Sequence, residues 1–218
     1  LIERNIFPLE KQQKKQKHVL FFATHPDDEC MLFSPTLAYL SRRSDVTVSL
    51  LCLTTDNHDQ LGEVRKKELL KSAVTFGLTP DSVIIVDDQH LPDSPKKAWN
   101  LALVAKTVEA VVVAGDNHIA AYTGVKHMAL TSQRFKCQKI NIYALESVGL
   151  AHKFSSVLDM LFAFGMAVGG GRMFVAYLAV YSQGIQAMLM HESQLVWHRK
   201  LYLVFSWYVL INTYTMVS

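Results

Sequence analysis

His18-Val19-Leu20-Phe21-Phe22-Ala23 runs directly into Thr24-His25-Pro26-Asp27-Asp28-Glu29. A short, nearly continuous apolar run closed by a turn signal reads as a strand buried on both faces. Pro26 fixes its own backbone and biases His25 to an extended geometry, which suits a rigid turn at a strand end. Working outward, Val46–Thr54 (VTVSLLCLT) reads as a second buried strand. Between the two, Ser34–Arg43 reads as a helix with Leu37, Tyr39 and Leu40 on its apolar side. Glu63–Phe76 is rich in strong helix formers and should end at Gly77. Further strands are expected at Val83–Val86, Glu109–Ala114 and Ile140–Leu145, with a helix over Val125–Thr131. Apolar strands alternating with helices predict an α/β, Rossmann-like domain: a mostly parallel sheet with helices on both faces. Ligands in such sheets bind outside the carboxyl ends of the strands, where the HPDDE turn stands.

Composition narrows the class. With 218 residues the chain is one large domain or two small ones, and the alternation above favours one. Residues 1–17 read as a basic N-terminal segment and 18–218 as the domain. The chain opens on Leu1, which leaves upstream sequence, including an apolar anchor, an open expectation. Half of the residues are hydrophobic, which excludes a disordered or fibrous chain. The net charge of +3 is too small to argue for nucleic acid as a partner. Cys30, Cys52 and Cys137 are sparse and form no CxxC pair, so neither a disulfide scaffold nor a thiolate zinc cluster is indicated.

The chemistry concentrates at residues 24–29. An imidazole and a carboxylate are ordinary ligands for a catalytic zinc that keeps a position open for water. Two adjacent acids can divide the work, one holding the metal and the other taking a proton from water. The plainer reading of HxDD alone is a solvated acidic turn capping the next helix. Placement after the first buried strand weighs toward chemistry. A third ligand must come from elsewhere, and His118 follows the strand expected at Glu109–Ala114. Asp56 and Asn57 follow the second strand and are candidates to line the substrate pocket, with His58 near them. Arg65, Lys66 and Lys67 would either face an anionic substrate or form a solvated helix face. His191 and His198, seven residues apart, read as surface or packing residues on one helix face. Gly169-Gly170-Gly171 reads as a flexible loop rather than a phosphate cradle.

These motifs resemble a known family. THPDDE at residues 24–29 is similar to the first metal motif of the LmbE-like zinc deacetylases. The run from Gly62 to Leu69 (GEVRKKEL) and Asp87–Asp93 (DDQHLPD) resemble further family segments, and His191–Trp197 (HESQLVW) resembles HxSQxxW. That last motif is similar to the N-acetylglucosaminyl-phosphatidylinositol de-N-acetylases (PIG-L) in particular. The resemblance implies zinc as cofactor, with His25, Asp28 and His118 as ligands and Asp27 as general base. It implies GlcNAc-phosphatidylinositol as substrate, a membrane surface as partner, and work in GPI-anchor biosynthesis at the cytoplasmic face of the endoplasmic reticulum membrane. Oligomeric state stays open. The chain departs from the family at Gly115-Asp116-Asn117-His118, where Gly115 stands in place of a family histidine and the loop before it is missing. Loss of one oxyanion donor costs about 10²–10³ in rate. An assembly or splice variant, a catalytically impaired homologue, and a deacetylase of a soluble amino-sugar conjugate therefore stand as alternatives.

Apolar content is uneven. Leu201–Ser218 carries no charged residue, and Val157–Met190 carries only Asp159 and Arg172. Within them, Leu201–Val217 and Met160–Gly171 are too short or too interrupted for a membrane span and are expected as buried elements or as surfaces that meet a membrane.

Overall fold

The computed structural model describes residues 16–55, 57, 60–88, 90, 103, 119–120, 141, 143–146 and 172–216. Strand β1 (Lys17–Ala23) leads through short helices α1 (Asp28–Met31) and α2 (Ser34–Leu40) into β2 (Val46–Cys52). Helix α3 (Gly62–Thr75) then leads to β3 (Val83–Ile85). With β4 (Ile119–Ala120) these strands form a parallel sheet in the order β3-β2-β1-β4. Parallel pairing forces each connection to cross back over the sheet, which is why helices fill the intervals. Leu50 and Leu51 on β2 and Leu53 just beyond it are fully buried, matching the two-sided burial of a central parallel strand.

Helix α3 shows how local sequence sets an element's limits. At its start the side chain of Asn57 accepts the Gly62 N–H at 2.9 Å, satisfying a donor that the helix cannot. At its end Gly77 adopts φ 87, the Gly77 N–H reaches Val74 O at 2.9 Å, and the Leu78 N–H reaches Ala73 O at 3.1 Å. That is a Schellman ending, and Leu78 is buried beside it.

The C-terminal part builds a second, antiparallel sheet. Strand β7 (Ile211–Met216) lies between β5 (Tyr143–Leu145) and β6 (Arg172–Val175). Residues 143–145, expected within the parallel sheet, therefore belong elsewhere, because β7 supplies a partner that no local pattern announces. Residues 109–114 and 125–131 lie outside the described residues. Helix α4 (Leu178–Leu189) packs against α1, α2 and α3, so these four share one layer. Helices α5 (Trp197–Phe205) and α6 (Trp207–Leu210) complete the tail. No helix among the described residues is long and apolar enough to cross a membrane.

The tail is fastened to the front of the chain by buried polar bonds. Asn212 Oδ1 accepts from the Thr36 hydroxyl at 2.8 Å, and Asn212 Nδ2 donates to Leu32 O at 2.7 Å and Tyr208 O at 3.0 Å. Packing is equally close where α4 crosses α2. A Cβ at Gly184 would lie 2.8 Å from Ser34 Oγ and 3.0 Å from Ser34 Cβ. Gly184→Ala is therefore expected to destabilise the fold by about 1–3 kcal/mol, since overpacking outweighs the helix propensity gained. Denaturant unfolding checks this, and a stabilised variant would show that the helices can separate freely.

Candidate active site

The carboxyl ends of the first three strands converge. The Leu53 N–H reaches Ala23 O at 3.1 Å, Thr54 N–H reaches Thr24 O at 3.2 Å, and Asp87 N–H reaches Leu53 O at 3.1 Å. At this edge the HPDDE turn is held from two sides. The Thr24 and His25 N–H groups donate to Asp28 Oδ2 at 2.8 and 3.0 Å, which closes the turn on itself. The Asp27 N–H donates instead to Glu29 Oε2 at 3.0 Å. Between these restraints Asp27 sits at φ 132, a region that residues with a Cβ rarely adopt. Such strain persists only where the surroundings over-determine it, and it clusters at functional sites.

The two aspartates are electrostatically distinct. Asp27 is buried, and burial pushes its carboxyl up to about 8 even though Arg199 pulls the other way. Arg199 Nη1 lies 2.7 Å from Asp27 Oδ2. Asp28 is half-buried, and its carboxyl is also raised by burial, opposed by the His25 and Thr24 amides and the His25 ring. A carboxyl poised near neutral next to one tied into the backbone is a division of labour suited to acid–base work beside a ligand.

Beneath the turn lies a brace that the sequence reading missed. Glu29 is fully buried and accepts from Ser72 Oγ at 2.5 Å and pairs with His191 Nε2 at 2.7 Å. Burial alone would raise the Glu29 carboxyl and lower the imidazole. The ion pair outweighs both effects, holding the carboxyl down and the imidazole up. His191 therefore does not share a helix face with His198. It follows α4 and is fully buried, whereas His198 lies exposed on α5. Ser193, two residues on, is anchored through its N–H and hydroxyl to Glu68 at 2.8 and 2.6 Å. The clue present in the sequence was the HESQLVW segment itself, whose histidine, serine and glutamine all turn inward.

Ligand-type atoms of Glu29, Cys30 and His191 lie within 4.8 Å of one another, a grouping that has metal-ligand chemistry. Their bonding is nevertheless committed. Glu29 carries its three partners, and Cys30 Sγ donates to Asp27 O at 3.1 Å with its thiol pushed well up by burial. These three read as support for the turn. The imidazole of His25 and the carboxylate of Asp28, both half-buried at the strand edge, offer the mixed nitrogen and oxygen donor types of a catalytic divalent cation, although Asp28 Oδ2 already accepts two backbone N–H groups.

Of the other residues singled out from sequence, His118 and Asp56 lie outside the described residues. Asn57 is exposed, with its side chain fastening the start of α3. Arg65 is buried, so it does not belong to a solvated face, while Lys66 pairs with Glu63 at 2.7 Å and Asp87 at 3.3 Å.

This architecture is found among solved deacetylases. N,N'-diacetylchitobiose deacetylase from Pyrococcus horikoshii superposes with a TM-score of 0.60 at 17% identity, covering 98% of this chain and 89% of that one. The zinc-inhibited form of teicoplanin deacetylase Orf2 gives 0.57 at 12% identity, covering 92% of this chain and 98% of that one. The fold is thus that of a class with deacetylase members. A family model described as GlcNAc-PI de-N-acetylase matches residues 20–127, which include the whole HPDDE turn. The N-acetylglucosaminyl-phosphatidylinositol de-N-acetylase of Bos taurus is 32% identical over 210 residues, spanning 89% of this chain and 81% of that protein. The chain belongs to the GlcNAc-PI de-N-acetylase (PIG-L) family.

Proposed function

We propose that this chain removes the acetyl group from the N-acetylglucosamine of GlcNAc-phosphatidylinositol by zinc-dependent hydrolysis, a step of GPI-anchor biosynthesis. The observation that carries the reading is the split restraint of the HPDDE turn: Asp28 is closed onto the backbone, while Asp27 is aimed separately by Glu29. His25 and Asp28, with His118, would hold the ion. Zinc bound there would supply a Lewis acid that acidifies water and polarises a carbonyl. Asp27 takes the proton of the water that attacks the acetyl carbonyl and passes it to the departing amine. Arg199 holds Asp27 in place by its ion pair. The products are acetate and a free glucosamine amine.

The named activity of the Bos taurus relative supports the substrate, and the donor chemistry of His25 and Asp28 supports the metal. The family resemblance supports work at a membrane surface, on the cytoplasmic face of the endoplasmic reticulum. A second reading, a catalytically impaired homologue, is favoured by Gly115 and the missing loop before His118. One experiment separates the two: metal content of the purified chain together with amine release from GlcNAc-PI. About one zinc per chain and chelator-sensitive release is the expected outcome. Zinc without release would favour the impaired homologue, and release that survives complete metal removal would refute zinc dependence.

A further inference from the structure

Helix α5 carries two unlike faces. Inward, Tyr202 and Leu203 are buried, and Arg199, one turn earlier on the same side, reaches Asp27 at 2.7 Å. Outward, Trp197, Leu201, Val204 and Phe205 fall at the i, i+4, i+7 and i+8 positions of one stripe, and all four are exposed, Trp197 at 73%. A monomer in water gains nothing by presenting such a stripe. At 100° per residue, His198 and Lys200 flank it on either side. No acidic residue occurs from Ser193 to Ser218, so the stretch that carries the stripe bears basic charge only.

We infer that the outer face of α5 is an interfacial docking surface for a bilayer containing anionic lipid. Trp197, Leu201, Val204 and Phe205 enter the boundary between headgroups and acyl chains, with Lys200 against lipid phosphate. A helix with a Trp- and Leu-bearing apolar face and cationic flanks binds in this way, through buried apolar area plus attraction to anionic headgroups. The occupant is argued from charge: Lys200 beside the stripe, in a stretch from Ser193 to Ser218 that carries no acid, complements an anionic surface and meets no opposite charge on the same helix of a second copy. The inference rests on the proposed phosphatidylinositol-linked substrate and deepens it. Because Arg199 points from the opposite side of the same helix, docking sets Asp27 about one helix diameter, roughly 10–12 Å, from the lipid.

Flotation of the full 218-residue chain with phosphatidylcholine vesicles, with and without phosphatidylserine, tests this. The native chain should float with the phosphatidylserine vesicles and bind them more tightly than the neutral ones. The double variant Trp197→Glu/Leu201→Glu should bind at least about tenfold more weakly with an unchanged melting temperature, since binding scales with the apolar area inserted. Val74→Glu, a comparable change at an exposed position of α3, should bind like the native chain. Undiminished binding by the double variant would overturn the proposal, as would failure of the native chain to float. A native dimer that the double variant breaks, with no vesicle binding, would overturn it in favour of a second copy. Flotation is read without turnover, so an inactive chain that still floats counts against the proposed reaction and not against the docking surface.

Discussion

Asp27→Asn is expected to lower amine release from GlcNAc-PI by roughly 10²–10⁴-fold, the usual contribution of a positioned general base, while leaving the protein folded. Asparagine keeps the shape of the side chain and, like aspartate, is among the residues that best tolerate positive φ. It keeps the backbone N–H that Glu29 accepts. What it loses is the ability to take a proton. The stability cost should be small, because the native carboxyl is already penalised by burial, which lifts it to about 8. Arg199 loses a partner but is partly solvated, with 24% of its side chain exposed, so its charge is not stranded. Turnover and thermal melting measured on the same preparation check both halves. Retention of more than about a tenth of native turnover would remove Asp27 from the role of base.

The second large effect falls on stability. Glu29→Ala is expected to cost about 3–5 kcal/mol, the range seen when one member of a buried ion pair is removed. The variant strands the His191 imidazole and the Ser72 hydroxyl in a site from which water is excluded. For a chain of this length that corresponds to a fall of about 6–20 °C in Tm. His191→Ala should be costly for the same reason, and the double variant should cost less than the sum of the two, with a coupling of about 0.5–3 kcal/mol. An apolar replacement of the pair, Glu29→Met/His191→Leu, separates support from aim. Buried ion pairs replaced by apolar side chains often lose little stability, yet Asp27 would lose the acceptor of its N–H. That variant should stay folded and turn over slowly. Near-native turnover would show that Glu29 bears load without aiming Asp27.

The front half was legible because its signals are local. The strand ends at Ala23 and Cys52 are bounded by apolar runs, α3 ends where Gly77 permits a left-handed residue, and the HPDDE turn stands where a parallel sheet presents its ligands. The brace was not legible, because an ion pair between residues 162 apart leaves no periodic trace. Residue type alone makes His191 another histidine near the end of a helix. The tail was obscure for a related reason. From Leu201 onward it is uncharged and largely apolar, so neither a period of two nor one of 3.6 stands out. The division into α5, α6 and β7 turns on Ser206, whose hydroxyl caps the next short helix, and on Asn212, whose amide ties to α2 and to the loop before it.

That fastening of tail to turn has a consequence for biogenesis. The residues with the chemistry emerge from the ribosome well before their supports at His191, Arg199 and Asn212. At the usual rate of about 5–20 residues per second, the interval between Glu29 and His191 is on the order of 10–30 s. Through that time Glu29 is a buried-type acid without its cation, and the groove meant for α4 stands open. The nascent chain is therefore a natural client for chaperones. Catalytic competence should also switch on all at once, only after Asn212 has emerged.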